Sequence, residues 1–408
     1  MEFGKWLGGG GINSLMLYSL YVHIPFCKHR CHYCDFITFA GYEASQTAYV
    51  NALIEELRIA SQYLEEDCLH SVYFGGGTPS LLSVSHYSQI INAIYNYFSI
   101  NANNEISLEA NPGSLTYDYL CGLRELGFNR LSLGVQSTDS FDLIRLDRSH
   151  SISDVLYALR YARKAEFENI NLDLIFNLPW QDKLDWEHVL SQAIALRPEH
   201  FSLYSLIIEE GTPLHNWYQR GWVERQDQDI EAEMFETAIR TLDDEGYVHY
   251  EISNWAKRDA MQDFRCVHNL QYWLNLPYLG VGVGAHGYMG DVRTENVKRI
   301  EDYLSRFGNY DDLRFMSPET PATLNSSKVD VETQMKDFMW LGLRLVSEGV
   351  SLERFYRTFR VQMTEIFKEE IEELLGLGLI HWTGDREHHL TLTERGLMLA
   401  NQVFMRFV

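Results

Sequence analysis

Residues 19–36 read SLYVHIPFCKHRCHYCDF, and this stretch governs how the rest of the chain is interpreted. Its first residues are rich in apolar and aromatic side chains, which predicts a short strand that ends near His23. Directly after the strand come Cys27, Cys31 and Cys34 with the spacing C-x3-C-x2-C. Because three thiolates on so short a loop can point at one inorganic centre, the stretch predicts a metal centre at the end of the first strand.

The number of cysteines distinguishes between two kinds of metal centre. A structural zinc site normally has four protein ligands, whereas a [4Fe-4S] cluster held by three cysteines leaves one iron open for chemistry. We favour the cluster. His23, His29 or His32 could complete a Cys3His zinc site, and this alternative stays open at the level of sequence.

Strand-like and helix-like segments alternate along most of the chain. The strand-like runs are Ser19 to His23, Ser71 to Phe74, Glu105 to Glu109, Arg130 to Val135, Ile170 to Ile175 and His200 to Leu206. Alternation predicts an α/β fold with parallel strands, either an open doubly wound sheet or an incomplete β/α barrel. In both arrangements the chemistry lies at the carboxyl ends of the strands.

The chain divides into four predicted segments. Residues 1–16 contain four consecutive glycines and are read as a leader or flexible arm. Residues 17–307 form the α/β domain, and residues 308–332 are rich in Asn, Ser and Pro and predict a linker. Residues 333–408 contain three helix-like segments, then a hairpin with a charged turn, which predicts a small winged-helix-like domain.

Composition restricts the classes of partner. The 408 residues include 34 Lys or Arg and 57 Asp or Glu, so the formal net charge is −23. Such a surface repels phosphate backbones on average, which argues against nucleic acid as a partner. No apolar run approaches the roughly 18 residues of a spanning helix, and the N-terminus lacks the order of a signal peptide. We therefore expect a cytoplasmic protein with no transmembrane segment.

Six motifs together resemble those of a known family. The motifs are YVHIPFC, GGGTPS, LEANPGS, LSLGVQS, LDRSH and NLDLIFNLP, in this order. They resemble the oxygen-independent coproporphyrinogen III oxidase-like branch of the radical S-adenosylmethionine (SAM) superfamily. The resemblance implies a partial (β/α)6 TIM-like barrel followed by a winged-helix-like domain. It also implies that SAM binds to the open iron of a [4Fe-4S] cluster held by Cys27, Cys31 and Cys34.

The resemblance also implies which residues bind SAM. In the glycine turn, the residues implied to bind SAM are Gly76, Gly77 and Thr78. The glycines have no Cβ, so the backbone there can approach the ligand closely. Glu109 at a strand end can accept hydrogen bonds from ribose hydroxyls, and Tyr33 can lie against the adenine. The remaining residues of the predicted set are Tyr21, Gln136, Arg148 and Asp173, of which the last three match positions that serve a second SAM molecule in the relatives.

Two functions occur in this branch, and the sequence favours one of them. The decarboxylases typically have a fourth cysteine after the third, whereas this chain continues with Asp35 and Phe36. The segment CVHNLQYW, residues 266–273, resembles the H-N-x-x-Y-W signature of the heme chaperones in the branch. The resemblance therefore implies a heme chaperone, with coproporphyrinogen III dehydrogenase, which is a radical decarboxylase, as the alternative.

The heme motif supplies candidate heme contacts. His268 or Cys266 could bind the heme iron, and Tyr272 with Trp273 could lie against the macrocycle. The following segment GVGVGAHG, residues 280–287, is interpreted as a loop that closes over the barrel mouth. The resemblance further implies heme-accepting apoproteins as partners, including respiratory proteins at the membrane surface, and is compatible with a homodimer.

Overall fold

A computed structural model describes residues 17–63, 68–308, 318–384 and 388–408. The predicted leader at 1–16 lies outside the described residues, as does part of the predicted charged turn of the C-terminal domain. The strands are β1 (Leu17–Ile24), β2 (Phe26–Cys27), β3 (Phe39–Ala40), β4 (Cys68–Gly76), β5 (Ser99–Ala110), β6 (Arg130–Gln136), β7 (Asn169–Phe176), β8 (His200–Ser205), β9 (Tyr247–Glu251), β10 (Asn254–Lys257), β11 (Tyr278–Val281), β12 (His286–Met289), β13 (Val292–Asn296), β14 (Thr323–Lys328), β15 (Val350–Ser351), β16 (Ile380–Thr383) and β17 (His389–Leu392). The helices are α1 (Gln46–Ala60), α2 (Val84–Tyr97), α3 (Tyr117–Glu125), α4 (Ser140–Arg145), α5 (Ile152–Lys164), α6 (Lys183–Ala195), α7 (Pro213–Gln219), α8 (Gln228–Asp244), α9 (Val267–Trp273), α10 (Ile300–Gly308), α11 (Val331–Gly342), α12 (Leu352–Phe359), α13 (Met363–Ile366), α14 (Lys368–Gly376), α15 (Glu394–Met398) and α16 (Ala400–Phe404).

One large sheet organises the α/β domain. Within the described ranges it contains twelve strands in the order β14-β13-β12-β11-β1-β4-β5-β6-β7-β8-β10-β9. From β11 to β8 every neighbouring pair is parallel. The six predicted strands correspond to β1, β4, β5, β6, β7 and β8, so the predicted α/β fold with parallel strands is confirmed.

Local sequence signals fix where the crossover helices begin. Ser151 and Asp154 form a capping box at the start of α5, and Asp182 and Asp185 form another at the start of α6. The buried faces of these helices pack on the sheet in one apolar core. The parallel strands therefore all end at the same edge of the sheet, where the loops that carry the sequence motifs lie.

The glycine-rich segment at residues 280–287 is not a loop over the mouth, so that interpretation was wrong. Its first part belongs to β11, which extends the parallel sheet beside β1, and its last part begins β12. A Cβ on Gly280 would lie 1.8 Å from the carbonyl oxygen of His286. The glycines are needed because two backbones approach each other closely in a tight strand connection.

Part of the predicted linker also differs from the structure. Thr323–Lys328 forms β14, which pairs antiparallel with β13 at one edge of the large sheet. The polar run that reads as a loop in the sequence is an exposed edge strand, whose side chains face solvent and carry no apolar alternation. Residues 309–317 of the predicted linker lie outside the described residues.

The C-terminal part builds a core of its own and packs on the α/β domain. Met339, Phe355, Leu390 and Val403 are among its buried apolar residues, and β15, β17 and β16 form a small sheet. Charged pairs join the two parts, including one in which Arg265 lies 2.6 Å from Glu348. None of the helices among the described residues is both long enough and apolar enough to span a membrane.

Replacing Gly280 with Ala is expected to destabilise the protein by about 2 kcal/mol. The new Cβ would meet the main chain of His286, and this main chain cannot move without breaking the β11–β12 connection. Thermal unfolding measures the effect. Gly376→Ala is the control, since no atom lies within 4 Å of a Cβ built there. Equal melting temperatures for the two variants would contradict the close approach.

Candidate functional site

A cavity of about 560 Å³ opens at the carboxyl ends of the parallel strands. Most of the residues selected from the sequence line it, namely Tyr21, Cys27, Cys31, Tyr33, Cys34, Gly76, Gly77, Thr78, Glu109, Gln136, Arg148, Asp173, His268 and Tyr272. Cys266 and Trp273 are not among its lining residues. The fold thus brings the cysteine loop, the predicted SAM residues and part of the heme motif to one chamber.

The three cysteines of the loop are free thiols at the rim of this cavity. The Cys27 Sγ lies 3.5 Å from the hydroxyl of Thr78, and the Cys31 Sγ lies 3.5 Å from a guanidinium nitrogen of Arg148. Burial raises the pKa of the Cys27 and Cys34 thiols above the ordinary value. Binding of iron to these thiols therefore displaces protons.

The histidines that could complete a zinc site are engaged elsewhere. The side chains of His23, His29 and His32 hydrogen-bond main-chain carbonyl oxygens at 2.9, 2.6 and 3.1 Å. Across the described ranges, no three His, Cys, Asp or Glu side chains are grouped to hold a single metal ion. Three free thiols facing one cavity, with no histidine directed among them, fit a polynuclear cluster better than a Cys3His zinc site.

The glycine turn after β4 is required by contacts within the protein. A Cβ on Gly76 would lie 2.6 Å from the ring of His23, and one on Gly77 would lie 2.7 Å from the main-chain oxygen of Phe26. Gly76 also has a φ of +118°, which side chains rarely adopt. The end of β4 therefore packs closely against the segment that leads into the cysteine loop, and only glycine fits there. The sequence interpretation did not include this reason for the glycines.

Glu109 is a partly buried carboxyl group near the end of β5. It accepts hydrogen bonds from the Tyr73 hydroxyl at 2.9 Å and from the Gly76 main-chain nitrogen at 3.1 Å. Burial raises the pKa of Glu109 to about 7, and the negative charge of Asp173 adds to the rise. The group can therefore exchange between a donor and an acceptor near neutral pH.

Asp173 is held within β7 by two side-chain donors. The Ser132 hydroxyl donates to one carboxyl oxygen at 2.9 Å, and the Asn171 amide donates to the other at 2.8 Å. Burial raises the pKa of Asp173 above its ordinary value. An acid inside an apolar strand is tolerated here because its oxygens have partners and one side faces the cavity.

Gln136 and Arg148 stand near the cysteine loop. Gln136 adopts a φ of +69°, an uncommon conformation for a residue other than glycine, at the last position of β6. Arg148 donates to the main-chain oxygen of Gly134 at 2.8 Å, and its buried Nε has no hydrogen-bond partner among the described residues. The site thus keeps a guanidinium donor available beside Cys31.

His268 on α9 lies against the part of the cavity wall formed by β1 and β4. Its Nδ1 lies 2.8 Å from the Ser71 hydroxyl, and its Nε2 lies 2.8 Å from the Tyr272 hydroxyl. The ring stacks on Tyr73 with centroids 5.1 Å apart. Burial lowers the pKa of His268 to about 3, so the imidazole is neutral at physiological pH and keeps the lone pair that a metal needs.

The other two heme-motif residues face away from the cavity. Cys266 is fully buried, and its Sγ lies 3.5 Å from a carboxyl oxygen of Glu105. The guanidinium of Arg344 from the C-terminal part covers the ring of Trp273 at 4.1 Å from the centroid. Of the two candidate iron ligands named from the sequence, His268 lines the cavity and Cys266 does not.

Several residues that shape the site were missed from the sequence. Tyr73, Arg130 and Asn269 line the cavity, and Glu105 fixes the first turn of α9. Arg130 and Glu105 each stand at an end of a predicted strand, where charged residues are usually solvated. Only the packing of α9 across the strands shows that both are buried.

Family profiles match two parts of the chain. The profile described as "Radical SAM superfamily" matches residues 21–193, and the profile described as "HemN C-terminal domain" matches residues 329–399. A solved structure of coproporphyrinogen III oxidase (HemN) from Escherichia coli superposes with a TM-score of 0.80. It is 23% identical, and the match covers 96% of this chain and 90% of that chain.

Curated relatives match nearly the whole length. A protein named heme chaperone HemW from Bacillus subtilis is 36% identical over 96% of this chain and 99% of its own. One with the same name from Mycobacterium tuberculosis is 33% identical over 95% of this chain and 93% of its own. The mouse protein named radical S-adenosyl methionine domain-containing protein 1, mitochondrial, is 33% identical over 89% of this chain and 81% of its own.

Glu109→Gln is expected to stabilise the protein more at pH 8 than at pH 5. The pKa of Glu109 is about 7 in the folded chain and 4.5 ordinarily, so its burial lowers the free energy of unfolding as the pH rises from 4.5 through 7. Above pH 7 the partly buried carboxylate of Glu109 lowers the free energy of unfolding by its full amount, on the order of 3 kcal/mol. The amide side chain of the Gln variant does not ionise and avoids this loss. Thermal unfolding of both proteins at both pH values measures it, with the exposed Glu224→Gln as the control. A gain from Glu109→Gln that is equal at both pH values would contradict the buried acid.

Proposed function

Because this chain belongs to the radical SAM superfamily and, within it, to the family of the heme chaperones named HemW, we propose that it binds heme and transfers it to apoproteins. The main support for this proposal is that the cysteine loop and the face of α9 that carries His268 line one cavity. A ligand held at α9 would lie in the same chamber as a cluster bound by the three cysteines.

The cofactors of the proposal are a [4Fe-4S] cluster and SAM. When bound, the reduced cluster would supply an electron for cleavage of the sulfonium carbon–sulfur bond of SAM. Cys27, Cys31 and Cys34 would hold the cluster, and the protein's own task is to exclude other ligands and to position SAM. The three histidines of the loop region support this, because their hydrogen bonds to main-chain carbonyls keep them away from the iron.

The residues predicted to bind SAM keep that role as proposals. Arg148 offers a guanidinium beside Cys31, and Glu109 offers a carboxyl group that can accept a hydrogen bond from a ribose hydroxyl. Gln136 and Asp173 line the same wall, as do Tyr21, Tyr33, Gly76, Gly77 and Thr78. Removing water from this chamber would strengthen each of these polar contacts.

His268 is the proposed axial ligand of heme. The neutral imidazole can bind iron through Nε2 if iron replaces the Tyr272 hydroxyl, while Nδ1 donates its proton to the Ser71 hydroxyl. Such a second hydrogen bond orients a metal-binding histidine and fixes its tautomer. Cys266 does not reach the cavity, so it is not part of this proposal.

The acceptor proteins would dock at the cavity mouth. Phe36 and Ile207 both line the cavity and are 64% and 67% exposed, so they present apolar side chains at its mouth. The finer expectations, respiratory acceptors at a membrane surface and a homodimer, stay predictions.

Anaerobic reconstitution of the wild-type protein is expected to give a brown product with about four irons per chain, whereas Cys27→Ser should lose the cluster absorption. Iron analysis and the visible spectrum measure this. Cys121→Ser is the matched control, because Cys121 lies on α3 and does not line the cavity. A colourless wild-type protein with one zinc per chain would disprove the cluster.

His268→Ala is expected to weaken heme binding by at least about tenfold and to shift the Soret band, because it removes the axial ligand. A heme titration followed by visible absorption, with and without the cluster, measures the affinity. Cys266→Ala should bind heme like the wild type. Full binding by both variants would refute the ligand assignment, and conversion of coproporphyrinogen III to protoporphyrinogen by the reduced protein with SAM would refute the chaperone assignment.

A further inference from the structure

Arg130 is a buried cation at the floor of the cavity. It is the first residue of β6, its exposed fraction is 2%, and it lines the cavity. Its Nε is buried without a hydrogen-bond partner, and no ion pair among the described residues includes it. A guanidinium has five N–H donors, and burial without an acceptor is costly unless a ligand supplies one.

The nearby carboxyl groups are already engaged with other donors. Glu105 accepts from the main-chain nitrogens of Val267 and His268 at 2.9 and 3.2 Å, and from the thiol of Cys266. Asp173 and Glu109 likewise accept hydrogen bonds from side chains of their own walls. These carboxyl groups surround Arg130 with negative charge, but none of them forms a direct ion pair with it among the described residues, so its donors are open to a ligand.

The position of Arg130 separates it from the cysteine end of the site. Gln136 follows Arg130 by six positions along the extended strand, which corresponds to roughly 20 Å. The groups that act most strongly on Arg130 are those of Cys266, Glu105, Tyr73 and Tyr250. Tyr73 stacks on His268, so Arg130 belongs to the α9 end of the chamber.

We propose that Arg130 binds a carboxylate of the ligand that enters the α9 end of the cavity. This inference rests on the proposed function, which brings two carboxylate ligands to the chamber, heme with its propionates and SAM with its amino-acid group. A guanidinium binds a carboxylate through two parallel hydrogen bonds. The α9 position makes a heme propionate the expected source, with the iron at His268.

The test is a cycle of two ligands and two proteins, read as heme affinity by visible absorption. Wild-type protein and Arg130→Met are each titrated with ferric heme and with ferric heme dimethyl ester, whose propionates carry no charge. Arg130→Met is expected to weaken heme binding roughly 10- to 100-fold, the range of a buried charged hydrogen bond. The ester should lose the same factor on the wild type and bind equally to both proteins.

Matched variants separate ligand binding from folding. Arg130→Lys keeps the charge without the planar fork and should retain part of the preference for heme over its ester. Arg354→Met removes a partly buried arginine of the C-terminal part, which does not line the cavity, and should leave the heme affinity unchanged. Because Arg130 and Glu105 attract each other, Arg130→Met should unfold at a somewhat lower temperature without ligand, and circular dichroism at the titration temperature checks that the variant is folded.

SAM binding to the cluster-loaded proteins distinguishes the two sources. If Arg130→Met loses affinity only for heme, Arg130 binds a heme propionate. If it loses affinity only for SAM, Arg130 binds the carboxylate of the SAM amino-acid group. Wild-type affinities for both ligands in Arg130→Met, with equal binding of heme and ester by the wild type, would overturn the inference. That result would not contradict the proposed function. A wild-type protein that binds no heme would refute the proposed function, and the SAM titrations would then test whether Arg130 binds a carboxylate.

Discussion

The carboxylate of Glu105 joins the middle of the parallel sheet to the short helix that carries His268. It accepts two main-chain N–H groups of the first turn of α9 and lies beside the thiol of Cys266, 161 residues away in the chain. A carboxylate at a helix N-terminus satisfies unpaired donors and complements the helix dipole. This contact fixes the first turn of α9, while His268 bonds Ser71 on β4 and Gln271 donates to the main-chain oxygen of Leu17, so the helix has a defined position across the strands.

The polar groups around the cavity differ in charge from one end to the other. At the floor, His268 is neutral because burial lowers its pKa, while Arg130 keeps its charge because nearby groups, including Glu105, raise its pKa. In the middle, burial raises the pKa of Glu109 and Asp173, which reduces the negative charge that the chamber must hold. At the cysteine end Arg148 supplies a cation beside Cys31. A chamber of this kind suits ligands that carry carboxylates, although the chain as a whole has a net charge of −23.

The C-terminal part contacts the site through the back of α9. Arg344 covers the ring of Trp273 and lies 3.4 Å from the buried carboxylate of Glu251. Glu251 in turn accepts from Asn254, whose side chain binds the hydroxyl of Ser202 at 2.7 Å. Trp273, one of the two aromatic residues that the sequence analysis placed against the macrocycle, therefore helps to join the two parts of the chain.

The sequence by itself determined the parallel strands, the metal-binding loop and most of the residues that line the cavity. These follow from local signals: alternation of strands and helices, the spacing of three cysteines, and polar residues where strands end. Only the tertiary structure decided that Arg130 and Glu105 are buried, that Cys266 and Trp273 face away from the cavity, and that the glycine segment after α9 extends the sheet. The physical reason is that the burial of a side chain and the direction in which it points depend on contacts between residues far apart in the chain, such as Glu105 with Cys266, and no local pattern encodes such contacts.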